Sequence, residues 1–146
     1  MTDARLVCAC ASARTVARTL TQLYDEVLRE TGLEAPQFAL LMTLDQAGPS
    51  SQADLGRRFA LDKTTISRNL RWLERQGWVA AAAAADRRER QFALTAEGRK
   101  RFAAARPRWR EAQRLLRAQM TGAEWNTMFR SFARVIEAGE RAKRRR

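Results

Sequence analysis

The residues between Lys63 and Gln76 carry side chains suited to hydrogen bonding with nucleic acid. Arginine and lysine donate to guanine edges and phosphates, while threonine offers a hydroxyl group and a methyl group that contacts thymine. In a helix, the apolar residues of this segment, Ile66, Leu70 and Leu73, share one face, and the polar residues lie opposite them. The predicted DNA contacts of this segment are Lys63, Thr64, Thr65, Ser67, Arg68 and Arg71.

Three further arginines, Arg87, Arg88 and Arg90, stand within an extended segment predicted at 78–94. A two-stranded hairpin directly after a recognition helix is a wing, and its tip enters the minor groove, where narrow tracts attract arginine. The three arginines are therefore predicted to contact DNA, and Asp86 is predicted to brace one of them by a charge-assisted hydrogen bond. A solvated charged turn is the alternative.

The overall charge agrees with a polyanionic partner. The chain has 146 residues with 28 Lys and Arg against 16 Asp and Glu, a formal net charge of +12. Such an excess favours nucleic acid, then an anionic membrane surface. Histidine is absent, which excludes Ser-His-Asp and Cys-His catalysis and imidazole metal sites. We predict no enzyme activity, no metal and no cofactor, and an apolar run long enough to span a bilayer is lacking.

The two sets of donors need elements that hold them. Ser51 with Asp54 is a predicted helix cap for a short helix that ends near Arg58, and Asp62 caps the helix at 63–76. Two short helices with a tight turn fit a helix-turn-helix. Ser51, at the start of the first helix, is also predicted to contact DNA.

The predicted element order is four helices, one hairpin and two helices. This is a mainly α fold with one small wing hairpin, a winged helix-turn-helix with N- and C-terminal dimerisation helices. We predict a single domain over 1–146, in which 36–95 binds DNA and the helices of 1–35 and 96–146 form the dimerisation part.

The last helix carries an apolar stripe that the small middle unit cannot cover. Its residues Trp125, Phe129, Phe132 and Ile136 recur at helical spacing. Left exposed, such a stripe invites association. Packing against the same helix of a second copy covers it with two-fold symmetry, so the sequence predicts a homodimer.

The stretch from Asp86 to Gly98 resembles the wing and the following helix start of the MarR family of bacterial regulators. Its D-x-R motif corresponds to Asp86 and Arg88, and its L-T-x-x-G motif corresponds to Leu94, Thr95 and Gly98. The segments 61–68 and 73–77 resemble the recognition helix and its exit. The resemblance implies a homodimeric winged helix-turn-helix protein, most often a repressor that releases DNA when a small ligand or an oxidant arrives.

Within that family, one branch senses organic hydroperoxides with a cysteine on the first helix that is held by a tyrosine. Cys10 and Tyr24 match that pair in spacing, and Ala35 stands where the branch has a second tyrosine. Cys10 is therefore a candidate sensing thiol, and the alternative is a small buried core residue. A ligand pocket for aromatic acids or phenols is the other option, with Arg14, Arg18, Phe38, Met42 and Trp109 as candidate walls.

Together these features predict a sequence-specific DNA-binding transcriptional regulator, a ligand- or oxidant-responsive repressor that acts as a homodimer on a palindromic operator. The alternative is an architectural protein that coats nucleic acid without sequence preference. We expect a bacterial protein in the cytoplasm, associated with the nucleoid, with double-stranded DNA, a second copy and a small aromatic effector or organic peroxide as partners and without membrane contact.

Overall fold

The computed structural model describes residues 8–59, 61–82 and 89–145. Its helices are α1 (Ala9–Leu28), α2 (Ala35–Ala47), α3 (Gln52–Phe59), α4 (Lys63–Arg75), α5 (Ala96–Ala118) and α6 (Gly122–Arg144), with a 3-10 turn at Arg29–Thr31. Its strands are β1 (Ser50–Ser51), β2 (Val79–Ala82) and β3 (Gln91–Leu94). The chain divides into two compact units, Met1–Trp109 and Arg110–Arg146. The functional division at residues 35 and 95 stays a prediction.

Helix ends follow local sequence signals. Gly32 adopts a left-handed conformation, with φ of 73°, after the 3-10 turn that ends α1. Such a conformation suits glycine because it has no Cβ. Pro36 lies in the first turn of α2, where its missing N–H group costs no helical hydrogen bond. Thr121 and Glu124 form a capping box at the start of α6.

The sheet has three antiparallel strands in the order β1-β3-β2. The sequence predicted only the hairpin of β2 and β3, so β1 is a correction. Strand β1 pairs Ser50 with Phe92 and contains only two residues, too few to show an alternating pattern. Strand β2 is three-quarters alanine, a weak strand former, and each of its residues is paired with a residue of β3.

The core of the first unit joins these elements around aromatic and leucine side chains. The Phe38 ring lies 5.3 Å from the ring of Phe102 and 5.9 Å from that of Trp109, between centroids. Leu41, Leu70 and other leucines from α1 to α4 are buried in the same cluster. This core holds the helix-turn-helix and the sheet together.

The second unit exposes aromatic and aliphatic side chains along α6. In α6 the rings of Trp125, Phe129 and Phe132 form an edge-to-face ladder, and Arg117 stacks over Trp125. Four large apolar side chains of α6 remain exposed: Phe129, Phe132, Val135 and Ile136. Among the described residues, the helices are all too short or too polar to cross a bilayer.

Candidate nucleic-acid interface

Asp62 fixes the start of the recognition helix α4. Its carboxylate accepts the Thr65 backbone N–H at 2.9 Å and the Thr65 hydroxyl at 2.6 Å. These hydrogen bonds stabilise the charged carboxylate and hold the pKa of Asp62 below its usual value. The bond from the Thr65 side chain makes the largest contribution to this lowering. The Thr65 hydroxyl therefore donates its proton within the cap, and the predicted contact of Thr65 with DNA stays a prediction.

One face of α4 packs on the body of the protein as the sequence predicts. Ile66, Leu70 and Leu73 are at most 1% exposed. Asn69 is buried beside them, and its side-chain N–H donates to the Thr65 carbonyl at 3.1 Å. Because these residues fill the inner face, α4 turns its polar side to the exterior.

The outer face of α4 is basic. Thr64, Arg68 and Arg71 are exposed at a spacing of four and three residues, and Lys63 is exposed at the first turn. The Arg71 guanidinium donates to the Ser67 hydroxyl at 2.9 Å, which joins two of the predicted contact residues. Arg75 continues the stripe one turn beyond Arg71, and sequence reasoning missed it although its spacing from Arg68 signals the same face. We call Thr64, Arg68, Arg71 and Arg75 the basic stripe.

The predicted DNA contact of the Ser51 side chain is corrected by its burial. Its side chain is 1% exposed, its hydroxyl donates to the Asp54 carboxylate at 2.8 Å, and it accepts the Asp54 backbone N–H at 3.1 Å. The predicted helix cap is therefore present. Because Ser51 is buried, its side chain does not reach the surface that a duplex would contact, and its hydroxyl already donates once and accepts once within the protein.

The wing is described only at its base. Arg87, Arg88 and Asp86 lie outside the described residues, so their predicted roles stay predictions. Arg90 is exposed, and its guanidinium is 2.5 Å from the carboxylate of Glu74 on α4. The sequence missed Glu74 as a partner because it is remote along the chain, and the predicted brace was Asp86.

The candidate redox pair is not brought together within one chain. Cys10 and Tyr24 are both on α1, and 14 residues of helix separate them by about 21 Å along the axis. Cys10 is exposed, so the alternative of a buried core residue is wrong for the single chain. Tyr24 packs partly buried against the core, and this burial raises the pKa of its phenol.

Three of the predicted pocket residues do share a cavity. Phe38, Met42 and Trp109 line a cavity of about 260 Å³ between α2 and α5, and Asp45, Gln46, Phe102 and Arg106 complete its walls. Arg14 and Arg18 are exposed on α1 and do not line it. The cation of this cavity is Arg106, which lies over the Phe102 ring at 5.8 Å. Sequence reasoning missed it because α5 carries many exposed arginines at similar spacing.

Relatives with at least 30% identity to the chain include a DNA-bound regulator and an uncharacterised one. The DNA-bound transcriptional regulator MosR of M. tuberculosis is 36% identical, covers 92% of this chain and 98% of its own, and superposes with a TM-score of 0.81. The uncharacterised HTH-type regulator YwoH of Bacillus subtilis is 30% identical over 86 residues, which are 59% of this chain and 63% of YwoH. The chain therefore spans less than two thirds of that curated relative.

A more distant structure shares the fold alone. PcaV of Streptomyces coelicolor, solved with its natural ligand, is 24% identical, covers 95% of this chain and 99% of its own, and has a TM-score of 0.80.

Residues 31–89 match the model of the MarR family.

Two helices joined by a tight turn, a basic outer face on the second helix and a following antiparallel hairpin define a winged helix-turn-helix protein. The chain belongs to the MarR family. The predicted mainly α fold with a small wing is confirmed. The relatives are named as transcriptional regulators, which also confirms the prediction that the chain is not an enzyme.

Proposed function

We propose that this protein is a sequence-specific transcriptional repressor that binds a near-palindromic operator as a homodimer and releases it in response to a small effector. The observation that carries the proposal is the basic stripe on the second helix of the helix-turn-helix. Its three arginines and one threonine are exposed together, and the inner face of the same helix is fully packed. Such a helix fits the major groove.

The contacts within the groove follow from side-chain chemistry. Lys63, Thr64 and Ser67 lie in the first half of α4, the half from which recognition helices reach base edges. Arg68 and Arg71 offer bidentate donors for guanine or phosphate. Arg87 and Arg88 of the wing extend the interface to the adjacent minor groove, where arginine is attracted by the negative potential.

A second copy of the chain is the partner that α6 requires. Phe129 is 51% exposed, Val135 is 62% exposed and Ile136 is 68% exposed, all on one stripe of the helix. A stripe of this size on an isolated surface favours association. An isologous dimer buries it against itself and presents two recognition helices to the same duplex, with half-sites about 10 base pairs apart.

The cavity beside Phe38 and Trp109 is the proposed effector site. Stacked aromatic walls and one arginine suit a small aromatic carboxylate or phenol. An oxidant acting on the exposed Cys10 thiol is the second proposed signal. Loss of peroxide-induced DNA release in Cys10→Ser, with ligand-induced release retained, assigns the oxidant response to this thiol.

The deciding experiment compares DNA sequences at one salt concentration. Selection from a random duplex library, followed by anisotropy titration of the selected site and of a shuffled site, measures specificity apart from charge. A regulator retains tight binding to a palindromic site when binding to the shuffled duplex has been lost. Equal affinity for both duplexes at every salt concentration contradicts the proposal and supports an architectural, nonspecific nucleic-acid-binding protein that uses the +12 charge alone. We place this activity in the bacterial cytoplasm, at the nucleoid.

A further inference from the structure

One ion pair connects the base of the wing to the recognition helix. The Arg90 Nη2 atom lies 2.5 Å from the Glu74 Oε1 atom, although the two residues are 16 apart in the chain. The Glu74 side chain is only 22% exposed, and that of Arg90 is 63% exposed. The carboxylate is therefore partly shielded, and a charged hydrogen bond in that setting is stronger than one between fully solvated groups.

Arg90 has a second partner in the sheet. Its guanidinium carbon lies 5.0 Å from the centre of the Phe92 ring. Phe92 is 4% exposed and pairs with Ser50 on one side and Ala81 on the other, in the middle strand of the sheet. The guanidinium is thus held between a fixed aromatic ring on β3 and a carboxylate on α4, a placement that favours a cation.

The pair also changes the charge that a duplex meets. Glu74 stands in the chain between Arg71 and Arg75 of the basic stripe, and its partner Arg90 neutralises a carboxylate that would otherwise repel phosphates. In turn, the charge of Arg90 is already compensated and adds little to nonspecific attraction.

We infer that Arg90 and Glu74 together are positioning residues that hold the start of β3, at the base of the wing, against the recognition helix, in place of the direct DNA contact predicted for Arg90. This inference rests on the proposed DNA-binding function, and it assigns operator specificity to an interaction inside the protein.

A charge swap separates the two roles of Arg90. Glu74→Gln and Arg90→Gln should each reduce the ratio of operator to random-duplex affinity by about three- to tenfold, the range expected for a coupled charged pair. The double variant Glu74→Arg with Arg90→Glu should recover most of the affinity ratio that Arg90→Glu alone loses, since the ion pair is restored with its signs reversed while the contact of a cation with the Phe92 ring is lost. If the double variant has an affinity ratio as low as that of Arg90→Glu alone, the inference is overturned. Tighter operator binding by Glu74→Gln would also overturn it.

The salt dependence of binding is a second readout. If Arg90 is a phosphate contact, Arg90→Gln lowers the slope of log affinity against log salt by about 1, and the inference fails. If Arg90 is a positioning residue, the slope changes by much less than that. Arg75→Gln removes an exposed arginine of α4 that has no ion pair among the described residues, and it shows how the slope responds to a lost phosphate contact.

Amide hydrogen exchange tests the pair without DNA. Both single variants should speed exchange at Gln91 and Phe92 several-fold, because the start of β3 loses its tie to α4, while Arg75→Gln leaves these amides unchanged. Unchanged exchange in Glu74→Gln overturns the inference. If the wild-type protein shows no operator preference, the proposed function fails, whereas the exchange result still decides whether the pair fixes the wing.

Discussion

Gly98 lies directly against the backbone carbonyl group of Trp78. A Cβ atom at Gly98 would lie 1.9 Å from the Trp78 oxygen and 2.8 Å from its carbonyl carbon. The same Trp78 oxygen accepts the backbone N–H of Thr95 at 3.1 Å. The start of α5 is therefore packed against the residue that follows the exit of the recognition helix, and only glycine fits at this approach.

We predict that Gly98→Ala destabilises the protein. The added methyl group meets backbone atoms that cannot rotate away, and overpacking of this kind costs about 1–3 kcal/mol of unfolding free energy. Urea denaturation at fixed protein concentration measures it. Gly122→Ala is the matched control, because the nearest atom to its Cβ position in α6 is the end of the flexible Arg117 side chain, at an ordinary contact distance of 3.8 Å. That variant should stabilise by up to about 1 kcal/mol. Equal stability of the two variants would contradict the close approach.

We predict that the hydroxyl of Thr95 stabilises the same junction. It donates to the Gly77 carbonyl at 2.7 Å and accepts the Gly98 N–H at 3.0 Å. Thr95→Val keeps the shape and removes both hydrogen bonds, including the helix cap, at a cost of about 1–2 kcal/mol. Thr95→Ser retains the hydroxyl and should lose less than half as much in the same denaturation experiment. A serine variant as unstable as the valine variant would mean that the methyl group, and not the hydrogen bonds, is responsible.

These two residues show what the sequence reveals and what it does not. The motif Leu94-Thr95-x-x-Gly98 is visible as a pattern, yet its cause is a contact with Gly77 and Trp78, which are about 20 residues away. Helix caps such as Asp62 are predictable because their partners lie within one turn. Partners that are distant in the chain leave no local sequence signal. The two-residue strand that begins at Ser50 and the ion pair of Glu74 with Arg90 therefore become visible only in the folded structure.

The recognition helix offers a test of base readout. We predict that Arg68→Ala relaxes the preference at one operator position by about 1–3 kcal/mol and leaves the other positions unchanged. A panel of single-base operator variants, titrated at one salt concentration, measures this. The control is Arg99→Ala, an exposed arginine at the start of α5. A uniform loss of affinity across all duplexes would instead make Arg68 a phosphate contact.

We predict that the apolar stripe of α6 holds the dimer. Phe129→Glu with Ile136→Glu places two carboxylates in the proposed interface, where burial of unpaired charge is strongly unfavourable. Sedimentation equilibrium should change from twice the 16.6 kDa chain mass to the mass of one chain. Ala138→Glu adds a charge to another face of the same helix and should remain dimeric. A double variant that keeps the dimer mass would place the interface elsewhere.

The cavity beside Trp109 contains two opposite charges, so two substitutions should act in opposite directions. Arg106 attracts a carboxylate ligand and Asp45 repels it. We predict that Arg106→Gln weakens benzoate binding by about tenfold or more, the value of one charge-assisted hydrogen bond, while Asp45→Asn strengthens it. Calorimetric titration measures both affinities, and phenol is the control ligand because it has no carboxylate for either residue to recognise. Benzoate binding that is indifferent to Arg106→Gln would exclude this cavity as the carboxylate site, because no other cation among the described residues lines it.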